Sequence, residues 1–388
     1  MHLLVCHHGL WGNAEHLQFL TNAISQRQPD LKLLCCNSNR GINTLDGIDV
    51  CGDRIVRDIL ELLQSEPSIT EISFLGYSLG GLICRYAIGK LFAHGTFSSV
   101  QPRLFVTMAT PHLGSELPKV SMWKPHVAFF NRAFNTLTRT FTSRTGHQLT
   151  LRDQYHDGLP LLIMMADHDS CFIQGLQLFA RRACFVNVQN DPTVRFTTGS
   201  IEHSNPYRKR PAEVIDPQYP SIVRIVPSED AVLVSRPFNP TDIPKYGMFI
   251  LLAPVFITIA LTALSSYALY HRANRISGID VENEWFKEFK QKALTESCKD
   301  VLDSTTTGEA ESHQHISALL TQESTNIRHW MVDNLNRLGW EKVHVRLEQR
   351  RAHAGIVVRR ASDKTTDQVS YLVDKYFTDL DFVSTAKK

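Results

Sequence analysis

The chain has 388 residues, enough for one large domain or two domains of medium size. Its formal net charge of +2 shows no excess of basic residues of the kind that nucleic-acid binding requires. The eight cysteines follow no zinc-site or disulfide spacing, so we expect the reduced thiols of a cytosolic protein. The sequence opens on an apolar run without a basic leader, which is atypical of a secretory signal.

The first part of the chain alternates between short apolar runs and amphipathic stretches. This order indicates an α/β fold with a mostly parallel sheet and helices on both of its faces. Strands are predicted at 3–6, 31–37 and 71–77 and from residue 103, and helices at 13–26, 47–64 and 79–91.

The alternation stops at 116–152, where aromatic residues such as Trp123 and Phe130 lie between basic ones. A lid over an apolar pocket or a pair of packed surface helices would each give this pattern. Further on, we predict strands at 159–166 and 182–188, a polar stretch at 204–245 and an amphipathic helix at 281–302. A low-complexity loop follows, and then a helix at 326–338, a strand–loop–strand pattern at 341–359 and a last helix at 367–377.

The pentapeptide Gly76-Tyr77-Ser78-Leu79-Gly80 matches the pattern G-x-S-x-G. It follows a predicted strand and precedes a predicted helix, the context in which this pattern places a nucleophilic serine on a tight turn. The alternative is a serine that only starts the helix. The context favours a nucleophile at Ser78, with its hydroxyl at the positive end of the helix dipole.

The loop "HHGLWGN" (7–13) follows the first strand, where a backbone N–H group can bind a developing oxyanion. We therefore predict that the oxyanion hole is formed by the amides of Leu10 and Leu79. His8 is expected to hold the loop by hydrogen bonds, and His7 has no assigned role.

The motifs "HHGLWGN", "GYSLGG", "TPHLGS", "SRTGHQLTLRD" and "NVQNDPTVRFTT" resemble the putative serine esterase family of the α/β-hydrolase superfamily. They are most similar to its fungal members, among them lipid-droplet phospholipases and monoacylglycerol lipases. The resemblance covers about 3–201 and resumes at 340–377. It implies the hydrolysis of lipid esters. Family members usually have more residues before the first strand, whereas the first predicted strand of this sequence begins almost at Met1. We therefore expect either that an edge strand is missing or that the gene start is misplaced.

The catalytic acid of this fold follows the nucleophile in the chain and precedes the histidine. Asp167 and Asp169 follow one predicted strand, and Asp191 follows the next. Asp191 lies where the resemblance places the family's acid, so we prefer it to Asp169. An ordinary Asp-Pro turn would look the same in the sequence.

The base must come later, and we favour His353 because the family has an Ala-His-Ala sequence at this place. His203 is the next choice. His112 precedes the acid and therefore fits a role at the base of the lid better. The later histidines are His203, His271, His313, His315, His329, His344 and His353.

The uncharged segment 247–270 is long enough to span a bilayer. A single crossing would separate His353 from Ser78, so either the segment does not cross or the base is His203. We expect a hairpin that enters one leaflet, and a core helix or a single span is the alternative. The domain plan is a hydrolase core at 1–235 with a lid at about 116–152, a membrane-associating segment at 236–275, a helix and linker at 276–322, and a C-terminal completion of the fold at 323–388.

The residues predict a serine esterase with a Ser78–His353–Asp191 triad that needs no metal or organic cofactor. The resemblance implies a lipase that acts on acylglycerols or phospholipids, and we expect it to face the cytosol at a lipid-droplet or endoplasmic-reticulum surface. No nucleic-acid partner is expected, and the sequence leaves the oligomeric state open. A thioesterase or peptidase on the same fold and a non-catalytic membrane-tethered scaffold are the alternatives.

Overall fold

The computed structural model describes residues 1–115, 143–156, 158–208, 210–226, 324–349, 351–360 and 362–378. Most of the predicted lid (116–142), the apolar segment 247–270 and the linker 276–322 lie outside the described residues. Every helix within the described ranges is too short or too polar to span a bilayer.

An eight-stranded sheet forms the centre of the molecule, with the strand order β2-β1-β3-β4-β5-β8-β7-β6. The six strands from β2 to β8 in this order pair in parallel, whereas β7 and β6 add an antiparallel edge. The mostly parallel sheet of the α/β-hydrolase fold is thereby confirmed. The strands are β1 His2–His7, β2 Lys32–Cys35, β3 Glu71–Tyr77, β4 Gln101–Met108, β5 Arg181–Asn187, β6 Ala212–Val214, β7 Ile222–Ile225 and β8 Glu341–Val345.

Helices cover both faces of the sheet. Alternate residues of β1 are buried in opposite cores, with Leu3 and Val5 on one face and Leu4 and Cys6 on the other. Burial on both faces explains why the central strands are continuous apolar runs. The helices are α1 Gln18–Arg27, α2 Ile48–Ser65, α3 Leu79–Ala93, α4 Arg144–Leu149, α5 Leu161–Met164, α6 Cys171–Gln177, α7 Phe196–Gly199, α8 Ser324–Asn336, α9 Ala352–Gly355 and α10 Asp367–Tyr376.

Two predicted strands are wrong. The run 159–166 contains the short helix α5, which begins after Pro160, and the carboxylate of Asp153 accepts the N–H of Leu161 at 2.8 Å. A short, fully buried apolar run does not distinguish a strand from a helix. In the pattern at 341–359, only the first strand forms, and its second half contains α9.

The polar stretch 204–245 contains the two strands β6 and β7, which the sequence did not predict. Both are short, and they form because β7 pairs with β8, more than a hundred residues later in the chain. Residues from both ends of the chain therefore build one sheet.

Candidate active site

Ser78 occupies the turn between β3 and α3. Its backbone has φ 55° and ψ −125°, a left-handed φ that is rare and strained for a residue with a side chain. The turn is tight because glycines surround it: a Cβ on Gly76 would lie 2.3 Å from the Cα of Gly81, and one on Gly80 would lie 2.3 Å from the carbonyl oxygen of His7. This is the geometry of a nucleophile elbow.

His353 lies on α9, the short helix after β8. Its Nε2 is 3.0 Å from the Oγ of Ser78, a distance at which the imidazole accepts the hydroxyl proton. The hydroxyl of Tyr77 donates to the carbonyl oxygen of His353 at 2.9 Å, and the two rings lie 5.3 Å apart. The residue before the serine therefore holds the backbone of the histidine.

Asp191 follows β5 and faces the other nitrogen of this imidazole, with His353 Nδ1 2.9 Å from its Oδ2. Asn187 Nδ2 donates to the same oxygen at 3.0 Å, while the N–H groups of Thr193 and Val194 both donate to Oδ1 at 2.9 Å. Burial alone would raise the pKa of Asp191, but the hydrogen bond from His353 and the other donors lower it below its ordinary value. The site thus holds a carboxylate.

The structure brings together the predicted Ser78, His353 and Asp191, and the alternative acid lies elsewhere. The carboxylate of Asp169 is exposed and is 3.3 Å from Nδ1 of its neighbour His168. The side chain of Asp167 is buried in the turn before α6, where it accepts the N–H of Asp169 at 3.5 Å.

The alternative histidines have other contacts. His203 Nε2 is 3.0 Å from Asp333 Oδ1, and its ring packs edge-on against the ring of His329. His344 Nδ1 forms a hydrogen bond with the Tyr207 hydroxyl at 2.7 Å. His271, His313 and His315 lie outside the described residues.

The predicted oxyanion loop lies directly over the serine, since a Cβ on Gly9 would come within 2.8 Å of Ser78 Cβ. Leu10 and Leu79, whose amides were predicted as donors, thus flank the serine from the loop and from the first residue of α3. Neither N–H group donates a hydrogen bond within the part of the chain that the structure describes. The assignment of these two amides to the oxyanion hole stays a prediction.

A network of side-chain hydrogen bonds fixes this loop, and the sequence analysis missed it. The N–H of Trp11 donates to Thr44 Oγ1 at 3.0 Å, and the hydroxyl of Thr44 donates to the carbonyl oxygen of Gly41 at 2.7 Å. Gly41 in turn donates its N–H to the carbonyl oxygen of Gly12 at 2.7 Å. Thr44 thus holds the chain immediately after the predicted donor Leu10.

The "SRTGHQL" motif holds the loop that contains Thr44. Thr145 Oγ1 donates to the carbonyl oxygen of Thr44 at 2.7 Å. Arg144 and Gln148 both donate to the buried carboxylate of Asp49 at the start of α2. Three polar side chains of the motif therefore join it to the start of α2 and to the loop before it.

The buried histidines of the two loops have structural partners. His7 receives a hydrogen bond from Asn39 at 3.0 Å, and His8 donates to the carbonyl oxygen of Gly9 at 3.0 Å. In "TPHLGS", His112 Nε2 is 2.9 Å from Thr107 Oγ1. Among the described residues, none of these three rings forms a hydrogen bond with Ser78.

Arg85 on α3 is a second feature that the sequence analysis missed. It is fully buried and donates to the carbonyl oxygens of His112 at 3.1 Å and Met165 at 2.9 Å. Burial lowers its pKa to about 9. The nucleophile helix thereby holds the loop after β4.

Within the described ranges, no group of three or more His, Cys, Asp or Glu residues could hold a metal ion.

The chain is similar to members of one protein family. The family model described as "Putative serine esterase (DUF676)" matches residues 1–204. The chain is 29% identical to "Putative lipase C4A8.10" of Schizosaccharomyces pombe over 239 residues, which are 57% of this chain and 28% of that protein. It is 31% identical to "Putative lipase ROG1" of Saccharomyces cerevisiae over 209 residues, 52% of this chain and 28% of that protein. These matches span less than a third of the relatives' length.

Among solved structures, the chain matches the mature Bacillus licheniformis lipase BlEst2. It is 16% identical to this chain and has a TM-score of 0.31, with coverage of 48% of this chain and 65% of that one.

Proposed function

We propose that this chain, which belongs to the putative serine esterase family, is a serine lipase that hydrolyses carboxylic esters of acylglycerols or phospholipids. The observation that carries the proposal is the continuous hydrogen-bonded series from Ser78 Oγ through His353 to Asp191, with distances of 3.0 and 2.9 Å. It joins a nucleophile, a base and an orienting carboxylate, the three groups that acyl transfer by a serine requires.

The first half-reaction transfers the acyl group to the enzyme. His353 Nε2 takes the hydroxyl proton as Ser78 Oγ attacks the ester carbonyl, and the amides of Leu10 and Leu79 stabilise the oxyanion. Asp191, held ionised by its four donors, stabilises the imidazolium. The carbon–oxygen bond to the alcohol or lysolipid then breaks, and the imidazolium gives its proton to that leaving oxygen.

The second half-reaction releases the fatty acid. Water enters where the alcohol has left, and His353 Nε2 takes one of its protons while the water oxygen attacks the acyl carbon. The same two amides stabilise the second oxyanion. When it collapses, the bond to Ser78 Oγ breaks and the imidazolium returns a proton to the serine, so that the enzyme is unchanged.

Replacement of the nucleophile tests the proposal. Ser78→Ala should abolish both lipid-ester hydrolysis and labelling by a fluorophosphonate probe, whereas Ser98→Ala, at an exposed serine, should affect neither. A labelled Ser78→Ala protein would refute the nucleophile. Wild-type activity on thioesters alone would favour the thioesterase, and an unlabelled wild type would favour the non-catalytic scaffold.

We further propose that the chain works on a membrane or lipid-droplet surface that faces the cytosol, the droplet and the endoplasmic reticulum being the preferred sites. The apolar segment 247–270 is the proposed anchor, with Lys245, Arg272 and Arg275 at its ends as interfacial residues and 116–152 as the lid. The contact between Ser78 and His353 supports a segment that returns to the side from which it entered.

The anchoring proposal has its own test. Single cysteines introduced at 240 and 278 should react with a membrane-impermeant maleimide from the same side of intact microsomes. Labelling from opposite sides would refute the hairpin, and because it would place His353 and Ser78 on opposite sides of the membrane, it would also refute the triad.

A further inference from the structure

Two cysteines face each other across the first two strands of the sheet. Cys6 on β1 and Cys35 on β2 are register partners in a parallel pair, and the N–H of Cys36 donates to the carbonyl oxygen of Cys6 at 3.0 Å. Register partners in neighbouring parallel strands point to the same face of the sheet, and the strands are about 4.8 Å apart. A disulfide usually joins Cα atoms that are about 4.4–6.8 Å apart. The backbone therefore places Cys6 and Cys35 within reach of a disulfide bond.

The packing of the side chains agrees with this register. Cys6 belongs to the apolar core on one face of the sheet, and Cys35 packs against the same core. Cys36, the next residue in the chain, is buried in the core on the opposite face. Cys36 therefore points away from Cys6 and offers a matched control for any experiment on Cys35.

The two thiols differ in their access to solvent. β2 lies at one end of the strand order of the described sheet, and the side chain of Cys35 is half-buried there. Cys6 lies on the neighbouring strand and is buried. A dissolved oxidant can therefore reach Cys35 directly, whereas Cys6 is reached through the sulfur of Cys35.

Cys35 is also the more reactive of the two thiols. Hydrogen bonding from the Cys6 thiol lowers the pKa of Cys35 below its ordinary value, whereas the same hydrogen bond and burial raise the pKa of Cys6. The thiolate is the form of cysteine that attacks a peroxide, and sensor cysteines combine this form with access to solvent and a second thiol nearby. Exposure and acidity thus assign the first attack to Cys35 and the second to Cys6.

Both strands lead into the predicted oxyanion loop. Cys6 lies four residues before Leu10, whose amide is a predicted oxyanion donor. The chain that follows β2 binds the same loop, since the N–H of Gly41 donates to the carbonyl oxygen of Gly12 at 2.7 Å. A displacement of β1 relative to β2 is therefore transmitted to the loop from both sides.

The end of β1 has little room to absorb such a displacement. A Cβ on Gly80 would lie 2.3 Å from the carbonyl oxygen of His7, and Asn39 Nδ2 donates to His7 Nε2 at 3.0 Å. A disulfide brings two Cβ atoms to about 3.8 Å, which is about 1 Å closer than the spacing of the strands. A misplacement of about 1 Å can cost about 10²-fold in rate, and we expect about tenfold because the bridge lies outside the loop itself.

We propose that Cys6 and Cys35 form a peroxide-sensitive dithiol, and that its oxidation to a disulfide slows hydrolysis at Ser78. The Cys35 thiolate attacks one oxygen of hydrogen peroxide, the O–O bond breaks, and hydroxide leaves a sulfenic acid on Cys35. The sulfur of Cys6 then attacks the sulfur of Cys35, and the hydroxyl group leaves with the Cys6 proton as water. Two thiols are oxidised by two electrons in total, and one peroxide is reduced. The effect on hydrolysis rests on the proposed function, whereas the disulfide does not.

Mass spectrometry of the full chain tests the site. The background is Cys298→Ser, since Cys298 is the cysteine that lies outside the described residues. Hydrogen peroxide followed by iodoacetamide should give a disulfide between the tryptic peptides 1–27 and 33–40. Cys36→Ala should keep this bridge, and Cys35→Ala should prevent it. A bridge that persists in Cys35→Ala, or peroxide-treated protein in which Cys6 and Cys35 are both alkylated, would overturn the inference.

Hydrolysis of a chromogenic short-chain ester tests the consequence. Peroxide should lower the kcat of the Cys298→Ser protein about tenfold with little change in KM, and dithiothreitol should restore it. Cys35→Ala should keep its kcat after peroxide, whereas Cys36→Ala should lose it as the background protein does. A bridged protein with an unchanged kcat would overturn the proposed slowing of hydrolysis. A protein that forms the bridge but hydrolyses no ester when reduced would refute the proposed function and leave the dithiol site in place.

Discussion

Replacement of Asp191 by asparagine tests whether this carboxylate sets the tautomer of His353. The two carboxylate oxygens accept four hydrogen bonds, two each. Oδ2 accepts from His353 Nδ1 and Asn187 Nδ2, and Oδ1 accepts from the N–H groups of Thr193 and Val194. Every partner is a donor, and asparagine has only one acceptor oxygen.

The structure predicts how the asparagine would be oriented. Its oxygen should stay on the two backbone N–H groups, which cannot change their role, and its NH₂ group would then face His353 Nδ1. The imidazole responds by placing its proton on Nε2, so Nε2 can no longer accept the proton of Ser78. We expect kcat to fall by about 10³ to 10⁴, which corresponds to about 4–5.5 kcal/mol in the activation free energy.

The assay is steady-state hydrolysis of a chromogenic short-chain ester, together with the rate of fluorophosphonate labelling. Urea unfolding of the same protein shows whether the variant is folded. Asp169→Asn is the matched control, because this exposed carboxylate was the alternative acid and should leave kcat within about twofold. A folded Asp191→Asn protein with more than about a tenth of the wild-type kcat would refute the reasoning.

Two further predictions follow from the loop and the buried histidines. Thr44→Val removes the acceptor of the Trp11 N–H and should lower kcat for ester hydrolysis about tenfold with little change in KM. Thr44→Ser keeps the hydroxyl and should have the wild-type kcat. Equal kcat values in the valine and serine variants would contradict a role of this contact in the oxyanion loop. Burial lowers the pKa of His7 to about 3 and that of His344 to about 4, so the unfolded chain binds more protons than the folded one below about pH 6.5. The free energy of unfolding should therefore fall from pH 6.5 to 4 by about 1 kcal/mol per pH unit for each histidine, and urea midpoints should show a smaller slope in His344→Gln; a flat profile would contradict this.

The central part of the fold could be predicted from the sequence because local pattern and burial agree there. The strand predicted at 71–77 is β3, Glu71–Tyr77, and the helix predicted at 79–91 is α3, Leu79–Ala93. Each is bounded by residues with a clear local signal, the glycines of the turn around Ser78. Short elements lack such signals, and β6 and β7 depend on partners far along the chain.

The site could be predicted as a set of residues, but not as an environment. Chain order and family resemblance identified Ser78, Asp191 and His353, and the structure places them within hydrogen-bond reach. The hydrogen bond of Tyr77 to His353 and the contact of Thr44 with Trp11 were missed. Each joins segments that are distant in sequence and has no motif of its own.

The position of His353 depends on the register of the sheet and not on the long stretch that precedes α8. The last residues of β5 and β8 are paired, Asn187 with Val345, so the loops that carry Asp191 and His353 leave the sheet at the same level. On its other side, β8 pairs with β7, with Ile222 opposite Val345, which fixes the point where the chain leaves the sheet. Since the entropic cost of closing a loop rises only slowly with its length, a long insertion between β7 and β8 is compatible with an intact triad. The fold can therefore accept a long segment there without displacing His353 from Ser78.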